Sequence, residues 1–271
     1  TIDFEKEKKI PFALDQEPGM NMKEEHLCDY VHQEADFNDF AAQVLLPYKL
    51  SQNGPFISVG DLNADGREDF FVGGAAGQAG CLYMQSTSGQ FEKANQPALE
   101  SDKSAEDMES LITDTDGDGD MDLIVTSGSS EFTDRDPSLK VRLYLNDGKG
   151  NLTRAGTKAM PDMLVNGQCI EAFDADGDKD LDLFVGGRQV SGQYAAPADS
   201  RLLINQSGSF SDQTKTLAPF LDQFGMVTDA ISDDIDKDGD LDLLVVGEWM
   251  KPTLLLNDGK GKFSEKEIPS A

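Results

Sequence analysis

The sequence predicts an all-β protein, a β-propeller assembled from four-stranded blades. Three observations predict it. A nine-residue acidic pattern starts at Asp61, Asp114, Asp174 and Asp234, at intervals of 53, 60 and 60 residues. Each copy runs directly into an apolar, β-branched or aromatic stretch: Phe70–Val72, Leu123–Val125, Leu183–Val185 and Leu243–Val246. Each is followed by a short apolar run that breaks at Asn, Asp, Ser and Gly, as in LYMQSTSGQF, LYLNDGKGNL, LLINQSGSF and LLLNDGKGKF. That is the strand–turn–strand signal of a hairpin.

A strand-like stretch also precedes each acidic loop, at Phe56–Val59, Ser110–Thr113, Cys169–Phe173 and Val227–Ser232. One unit therefore reads strand, acidic loop, strand, connection, strand, tight turn, strand. A lone four-stranded sheet of this size cannot bury both faces, so the repeats must stack, and stacking around an axis gives a propeller. A β-solenoid is the alternative, but its repeats are usually shorter. Blades are expected at about 55–105, 106–165, 166–225 and 226–271, read as a piece of a larger propeller. Residues 1–54 lack an acidic loop and form a lead-in segment, packing on the first blade or left over from a preceding one. Within it, Tyr30–Phe40 alternates like a strand, while Glu5–Lys9 and Lys23–His26 are helix-friendly.

The chain has 271 residues, with 51 acidic and 23 basic side chains and a formal net charge of −28. That length buries a substantial core without disulfides. A surface this acidic repels phosphates and anionic headgroups, which excludes nucleic acid and anionic membrane surfaces as partners. No apolar run approaches the roughly 18 residues of a membrane span. The first residue is Thr1, not Met, which points to a processed or truncated chain. Cys28, Cys81 and Cys169 are odd in number and widely spaced, and read as small hydrophobes, the alternative being one pair formed in an oxidising compartment.

The four loops hold 19 of the 51 acids. Hard divalent cations want several oxygens on a tightly turning backbone, with side chains at positions 1, 3 and 5 and a carbonyl at position 7. An EF-hand would close with Glu at position 12, but here that position is Val72, Val125, Val185 and Val245. The closing carboxylate falls at position 9. The ligand sets are then Asp61, Asn63, Asp65, the Arg67 carbonyl and Asp69; Asp114, Asp116, Asp118, the Asp120 carbonyl and Asp122; Asp174, Asp176, Asp178, the Asp180 carbonyl and Asp182; and Asp234, Asp236, Asp238, the Asp240 carbonyl and Asp242. Many protein oxygens in a flexible cage suit Ca²⁺ better than Mg²⁺, with up to four ions per chain. Loops without His or Cys do not suit zinc. No loop offers a nucleophile or a free base, so the expected role of the metal is architectural. Position 6 is Gly66, Gly119 and Gly239 but Lys179 in loop three, and this position should require a positive φ.

These D-x-[DN]-x-D-x-x-x-D loops, each followed by an apolar strand, resemble the FG-GAP/VCBS repeats of integrin α-subunit-type β-propellers. The resemblance covers Pro55 to Ala271. The stretches HQEADFNDF, LSQNGPFISVGDLNADG, FFVGGAAG, RLYLNDGKGN and LFVGGR further resemble large bacterial surface proteins with VCBS and ASPIC/UnbV-type repeats. The resemblance implies an extracytoplasmic, secreted or cell-surface module, outer-membrane-associated if bacterial. It implies calcium binding, a protein or glycan ligand or other domains of the same parent protein as partners, and no assigned reaction. The rival is a polysaccharide lyase or hydrolase on a calcium-bearing propeller.

Repeats two and three carry extra residues at Gly128–Lys140 and Gly187–Arg201. Insertions on one face of a repeat protein commonly carry binding. Tyr194, Arg188, Phe132, Arg135 and Trp249 are candidates to line such a surface. His26, Cys28, His32 and Glu34 do not match a zinc spacing, and the sequons at Asn151 and Asn205 fall in turns that favour Asn for conformational reasons.

Overall fold

The computed structural model describes residues 28–268. The helix-friendly stretches before Cys28, and His26, lie outside them. The rest is all-β: four antiparallel sheets, each of four strands in chain order. The first holds β1 (Ile57–Gly60), β2 (Asp69–Val72), β3 (Cys81–Gln85) and β4 (Phe91–Lys93). The second holds β5 (Asp107–Thr113), β6 (Asp122–Ser127), β7 (Arg142–Asn146) and β8 (Leu152–Arg154). The third holds β9 (Gly167–Phe173), β10 (Asp182–Gly187), β11 (Arg201–Asn205) and β12 (Phe210–Asp212). The fourth holds β13 (Met226–Asp233), β14 (Asp242–Glu248), β15 (Thr253–Asn257) and β16 (Phe263–Glu267).

The meander puts the acidic loops and the third-to-fourth-strand hairpins at one end of every sheet. The second-to-third-strand loops lie at the other end. The first strands line up side by side: β1 packs beside β5, β5 beside β9 and β9 beside β13. The series is open, with no comparable contact joining β13 to β1 among the described residues. Ile57 and Val59 on β1 and Ile231 on β13 are accordingly exposed at its two flanks.

Period-2 alternation explains the interior. Phe71 and Leu82 face Leu123, Val125 and Tyr144 of the second sheet. Ile124 and Leu143 face Leu183, Val185 and Leu203 of the third. Phe184 and Leu202 face Leu243, Val245 and Leu255 of the fourth. The middle strands are apolar on both faces because each middle sheet is covered twice. Side chains also join neighbouring first strands. Ser58 Oγ donates to the Ser110 carbonyl (2.7 Å), Glu109 accepts from Ile170 N (2.9 Å), and Glu171 accepts from Ser232 N (2.9 Å).

The lead-in corrects one expectation. Tyr30–Phe40 forms no strand: 28–38 runs without regular structure, and a short helix covers Asp39–Ala42. Its alternation is real, but one side chain replaces a strand partner. Gln78 accepts from Gln33 N (2.9 Å) and donates to the Val31 carbonyl (2.8 Å). Tyr30 and Tyr83 complete the seam, donating to the Gly73 carbonyl (2.7 Å) and Asp29 (2.8 Å). Farther on, buried Asp39 takes the amides of Leu50 and Ser51 and the Ser130 hydroxyl, so the segment reaches the second sheet as well as the first. The three cysteines are unpaired, with Cys81 and Cys169 buried. His32 is occupied by Glu34 (2.7 Å) and Tyr30 (3.0 Å) and belongs to none of the metal-type clusters found among the described residues. No described helix is long and apolar enough to cross a membrane.

Glu106, at the entry to β5, is 1% exposed. Its Oε2 accepts from Ala76 N (2.7 Å), while Oε1 has no partner. Burial, then the nearby Glu34, Glu131 and Asp107, push its carboxyl up from 4.5 to about 8. A raised carboxyl pKa favours the fold below the unfolded value, and that advantage is lost as pH rises through the folded value. The Glu106→Gln variant should match the parent near pH 4 and exceed it by up to about 3 kcal/mol at pH 7. Denaturant melts of the two proteins at both pH values measure this; equal stability at pH 7 contradicts it.

Candidate metal centres

Each acidic loop is a nine-residue turn closed by an aspartate at the first residue of a second strand. Asp69, Asp122, Asp182 and Asp242 are all buried, none more than 2% exposed. In every repeat one oxygen accepts the amide of loop position 2: Leu62, Thr115, Ala175 and Ile235, at 2.8–3.2 Å. The other accepts the amide that opens the hairpin: Gln85, Asn146, Asn205 and Asn257, at 2.7–2.9 Å. The strand order forces this position to point inward, and the two amides fix the carboxylate between loop and hairpin.

The loop backbone folds around the remaining carboxylates. Position 1 accepts the amide of position 6 in the first three loops, from Gly66, Gly119 and Lys179. Position 5 accepts the amide of position 7 in all four, from Arg67, Asp120, Asp180 and Asp240. Two residues per loop are left-handed. Position 6 has φ of 83°, 92°, 78° and 101° at Gly66, Gly119, Lys179 and Gly239. Position 4 has φ of 55°, 77°, 81° and 67° at Ala64, Gly117, Gly177 and Lys237. Sequence reading found the first requirement and missed the second, although glycine at position 4 in loops two and three was the available signal.

Oxygens of Asp114, Asp116 and Asp122 lie within 4.8 Å of one another, as do those of Asp174, Asp176 and Asp182, and those of Asp234, Asp236 and Asp238. Such clusters can hold a cation. The structure thus brings together positions 1, 3 and 9 in loops two and three, and positions 1, 3 and 5 in loop four. Asp118, Asp178 and Asp242 stand outside these groupings. Burial pushes Asp69, Asp122 and Asp182 upward, Asp182 to about 7, against the hydrogen bonds they accept. Asp116 and Asp176 are also raised by burial and by neighbouring acids. These are acids whose charge lacks an opposing partner.

Loop one differs. Its Asn63 replaces a carboxylate, and the Arg67 guanidinium pairs with Asp65 while its Nε donates to the Gln85 carbonyl (3.0 Å). Loop one carries its own cation. At position 7 the other side chains turn away to the hairpin. Asp180 accepts from Ser207 N (2.6 Å), and a Cβ added at Gly148 or Gly259 would meet the Asp120 or Asp240 carboxylate.

The hairpin asparagines carry a second function that sequence reading assigned to turn preference alone. Asn146 Nδ2 donates to the Leu62 carbonyl of the preceding loop (2.7 Å) and to Met121 of its own (2.8 Å). Asn205 does the same to Thr115 (2.8 Å) and Leu181 (3.2 Å), and Asn257 to Ala175 (2.8 Å) and Leu241 (3.1 Å). Each hairpin is thus stitched to the acidic loop before it. Asn205 is 1% exposed, so its sequon is closed in the folded chain, whereas Asn151 is exposed.

The inserted loops lie at the opposite end and touch each other. Ser191 Oγ donates to the Phe132 carbonyl (2.7 Å). Arg188 is only 3% exposed and donates to Tyr48 (2.6 Å) and Glu248. Glu248 also accepts from Tyr48 (2.5 Å) and Tyr194 (2.6 Å), and Trp249 Nε1 donates to Tyr194 Oη (3.0 Å). Burial raises Glu248, but these donors outweigh it and hold the carboxyl below the usual glutamate value. The indole is 75% exposed on a left-handed backbone with φ of 57°. Arg188, Tyr194 and Trp249 therefore meet. Phe132 is half-buried on the neighbouring loop, and Arg135 points to solvent.

A family model described as FG-GAP-like repeat matches residues 61–125 and 114–185. Residues 61–185 thus carry FG-GAP-like repeats. None of the curated proteins matches it. Among solved structures, the V. cholerae biofilm matrix protein Bap1 aligns over 78% of this chain and 30% of its own, at 16% identity and a TM-score of 0.36. This chain spans less than a third of that protein's length.

Asn205→Ala should cost about 2–3 kcal/mol, because it orphans buried carbonyls in two loops. The loss should persist in saturating calcium; denaturant titration checks it, and a loss under 0.5 kcal/mol contradicts the stitch. Lys179→Gly should stabilise loop three by roughly 1 kcal/mol by relieving the left-handed backbone. Its gain in melting temperature should survive high salt, which would erase a charge effect at this exposed side chain.

Proposed function

We propose that this chain is a calcium-stabilised, non-catalytic β-propeller module that works outside the cytoplasm and binds a protein or a glycan. The observation that carries it is the fourfold recurrence of one loop whose buried closing aspartate is fixed between loop and hairpin. Three of these loops gather carboxylate oxygens within 4.8 Å. Crowded carboxylates repel, and a hard dication bound by oxygen relieves the repulsion. The ligands are those of positions 1, 3, 5 and 9 with the carbonyl of position 7, in all four loops. The FG-GAP-like match supports this reading.

The side-by-side first strands and apolar sheet-to-sheet contacts support blades around an axis, and the exposed flanks support further blades beyond them. The blade region runs from 55 to 271, after the lead-in of 1–54. Low cytosolic calcium suits extracytoplasmic placement, since extracellular modules work at affinities near ~10⁻⁴ M. Ligand binding belongs to the end opposite the metal loops, where the insertions and the exposed Trp249 lie.

Calorimetry with and without chelator tests the calcium. Each site contributes about 2.7 kcal/mol at a hundredfold excess of calcium over Kd. The melting temperature should fall in chelator and recover on adding Ca²⁺; an unchanged melt sinks the proposal. Asp118→Ala should lower the calcium-dependent gain much more than Asp120→Ala, since only the carbonyl of Asp120 serves the ion and alanine keeps it. Equal losses would refute the assignment by position.

A further inference from the structure

Between the inserted loop of the third sheet and the connection leading into it lies a cleft of about 430 Å³, within the size range of small-molecule sites. Four side-chain amides line it: Asn166, Gln189, Gln193 and Gln223. Val165, Val190 and Pro197 give it an apolar wall. Its two charged side chains are Asp134 and Asp199, and no lysine or arginine lines it.

The amides are unevenly spent. Asn166 is consumed by the loop it supports, exchanging hydrogen bonds with the Ser129 backbone at 3.0 and 3.1 Å. Gln189 is 5% exposed, and its Nε2 reaches Asn166 Oδ1 only at 3.4 Å. Its Oε1 is buried with no donor at all. A buried acceptor left unmet is costly, which marks a place where something else supplies the donor. The exposed Gln193 and Gln223 have no side-chain hydrogen bond among the described residues. The backbone is strained at the same place, with positive φ at Ala195 (70°) and Gln223 (51°). Strain of this kind gathers at ligand sites.

The chemistry of the lining selects the ligand. An amide offers a donor and an acceptor together, and so does a hydroxyl. An anion would need donors only and would face Asp134 and Asp199. A cation would find acceptors, but Asp134 already takes Ser191 N (2.8 Å), and Asp199 is paired with Arg201 (3.1 Å). We propose that this cleft binds a neutral sugar unit, its hydroxyls meeting Gln189, Gln193 and Gln223 and its C–H face lying on the apolar wall. This rests on the binding role proposed above and names its ligand class and its site.

The test is an array of neutral and uronic-acid oligosaccharides probed with the whole chain in calcium. The strongest neutral binder is then titrated calorimetrically. Binding at millimolar affinity or tighter is expected. Gln193→Ala and Gln223→Ala, both at exposed positions, should each weaken it at least fivefold. Ala196→Trp, which fills the cleft, should abolish it with the calcium-dependent melting temperature unchanged. Binding confined to uronates, binding indifferent to Ala196→Trp, or no neutral binder on the array overturns the proposal. In each of those cases an intact calcium-dependent melt leaves the propeller-module reading standing, and its loss removes that reading separately.

Discussion

A buried aspartate at the ninth position of each acidic loop is the contact on which the rest of the fold hangs. It joins three things that are distant in sequence: the start of the loop, the second strand, and the hairpin beyond the third strand. In loop three it takes Ala175 N with one oxygen and Asn205 N with the other. The hairpin asparagine then extends the link to the preceding repeat through its side-chain amide. Backbone carbonyls that would otherwise be orphaned at the tips of two sheets are satisfied by one residue. The sheets are therefore tied at their loop ends by polar contacts and along their faces by apolar ones. The two sets meet inside the acidic loops, where Leu62 and Ala175 at loop position 2 belong to the hydrophobic clusters.

This arrangement concentrates negative charge where the chain is least able to solvate it. The closing carboxylates are buried, and the others crowd into the same turn. Lys179 of loop three and Lys237 of loop four pair with none of these carboxylates among the described residues, whereas in loop one Arg67 pairs with Asp65. The contrast within one chain is informative. The same backbone turn forms whether the position-5 carboxylate faces a guanidinium or stands unpaired, so the turn geometry is set by the two left-handed residues and the amide-to-carboxylate bonds. Charge sets how strongly the turn needs a partner.

The repeat, its strands and its loop ends were legible because they depend on local chemistry: a period of two, glycine in turns, and acids at fixed offsets. The four sheets follow from those signals, with boundaries shifted by only a few residues, as where Ser110–Thr113 became Asp107–Thr113. What was not legible depends on contacts between distant segments. Nothing local distinguishes the alternation of Tyr30–Phe40 from a strand, because its partner is the side chain of Gln78. Nor does a hairpin asparagine declare that it crosses to Leu62 or Thr115. The Arg67–Asp65 pair was hidden for another reason: position 7 was read for its carbonyl, and its side chain was left unweighed.

The two ends of the sheets obey different constraints. At the loop end the closing aspartates are held by their own loop and hairpin, and Asn146, Asn205 and Asn257 tie three hairpins to the preceding repeat, so sequence there is held to a narrow pattern. At the other end the second-to-third-strand loops owe the fold little beyond their anchor points. Repeats two and three lengthen there without disturbing the sheets. The added residues are stabilised by one another and by the lead-in, through Ser191 to Phe132, Tyr194 to Gln43, and Arg188 to Tyr48 and Glu248. That network spends its polar groups internally and leaves the Trp249 indole, Gln193 and Gln223 exposed. Rigidity at one end and available chemistry at the other are consequences of the same topology, which sends loops of unlike duty to opposite edges of each sheet.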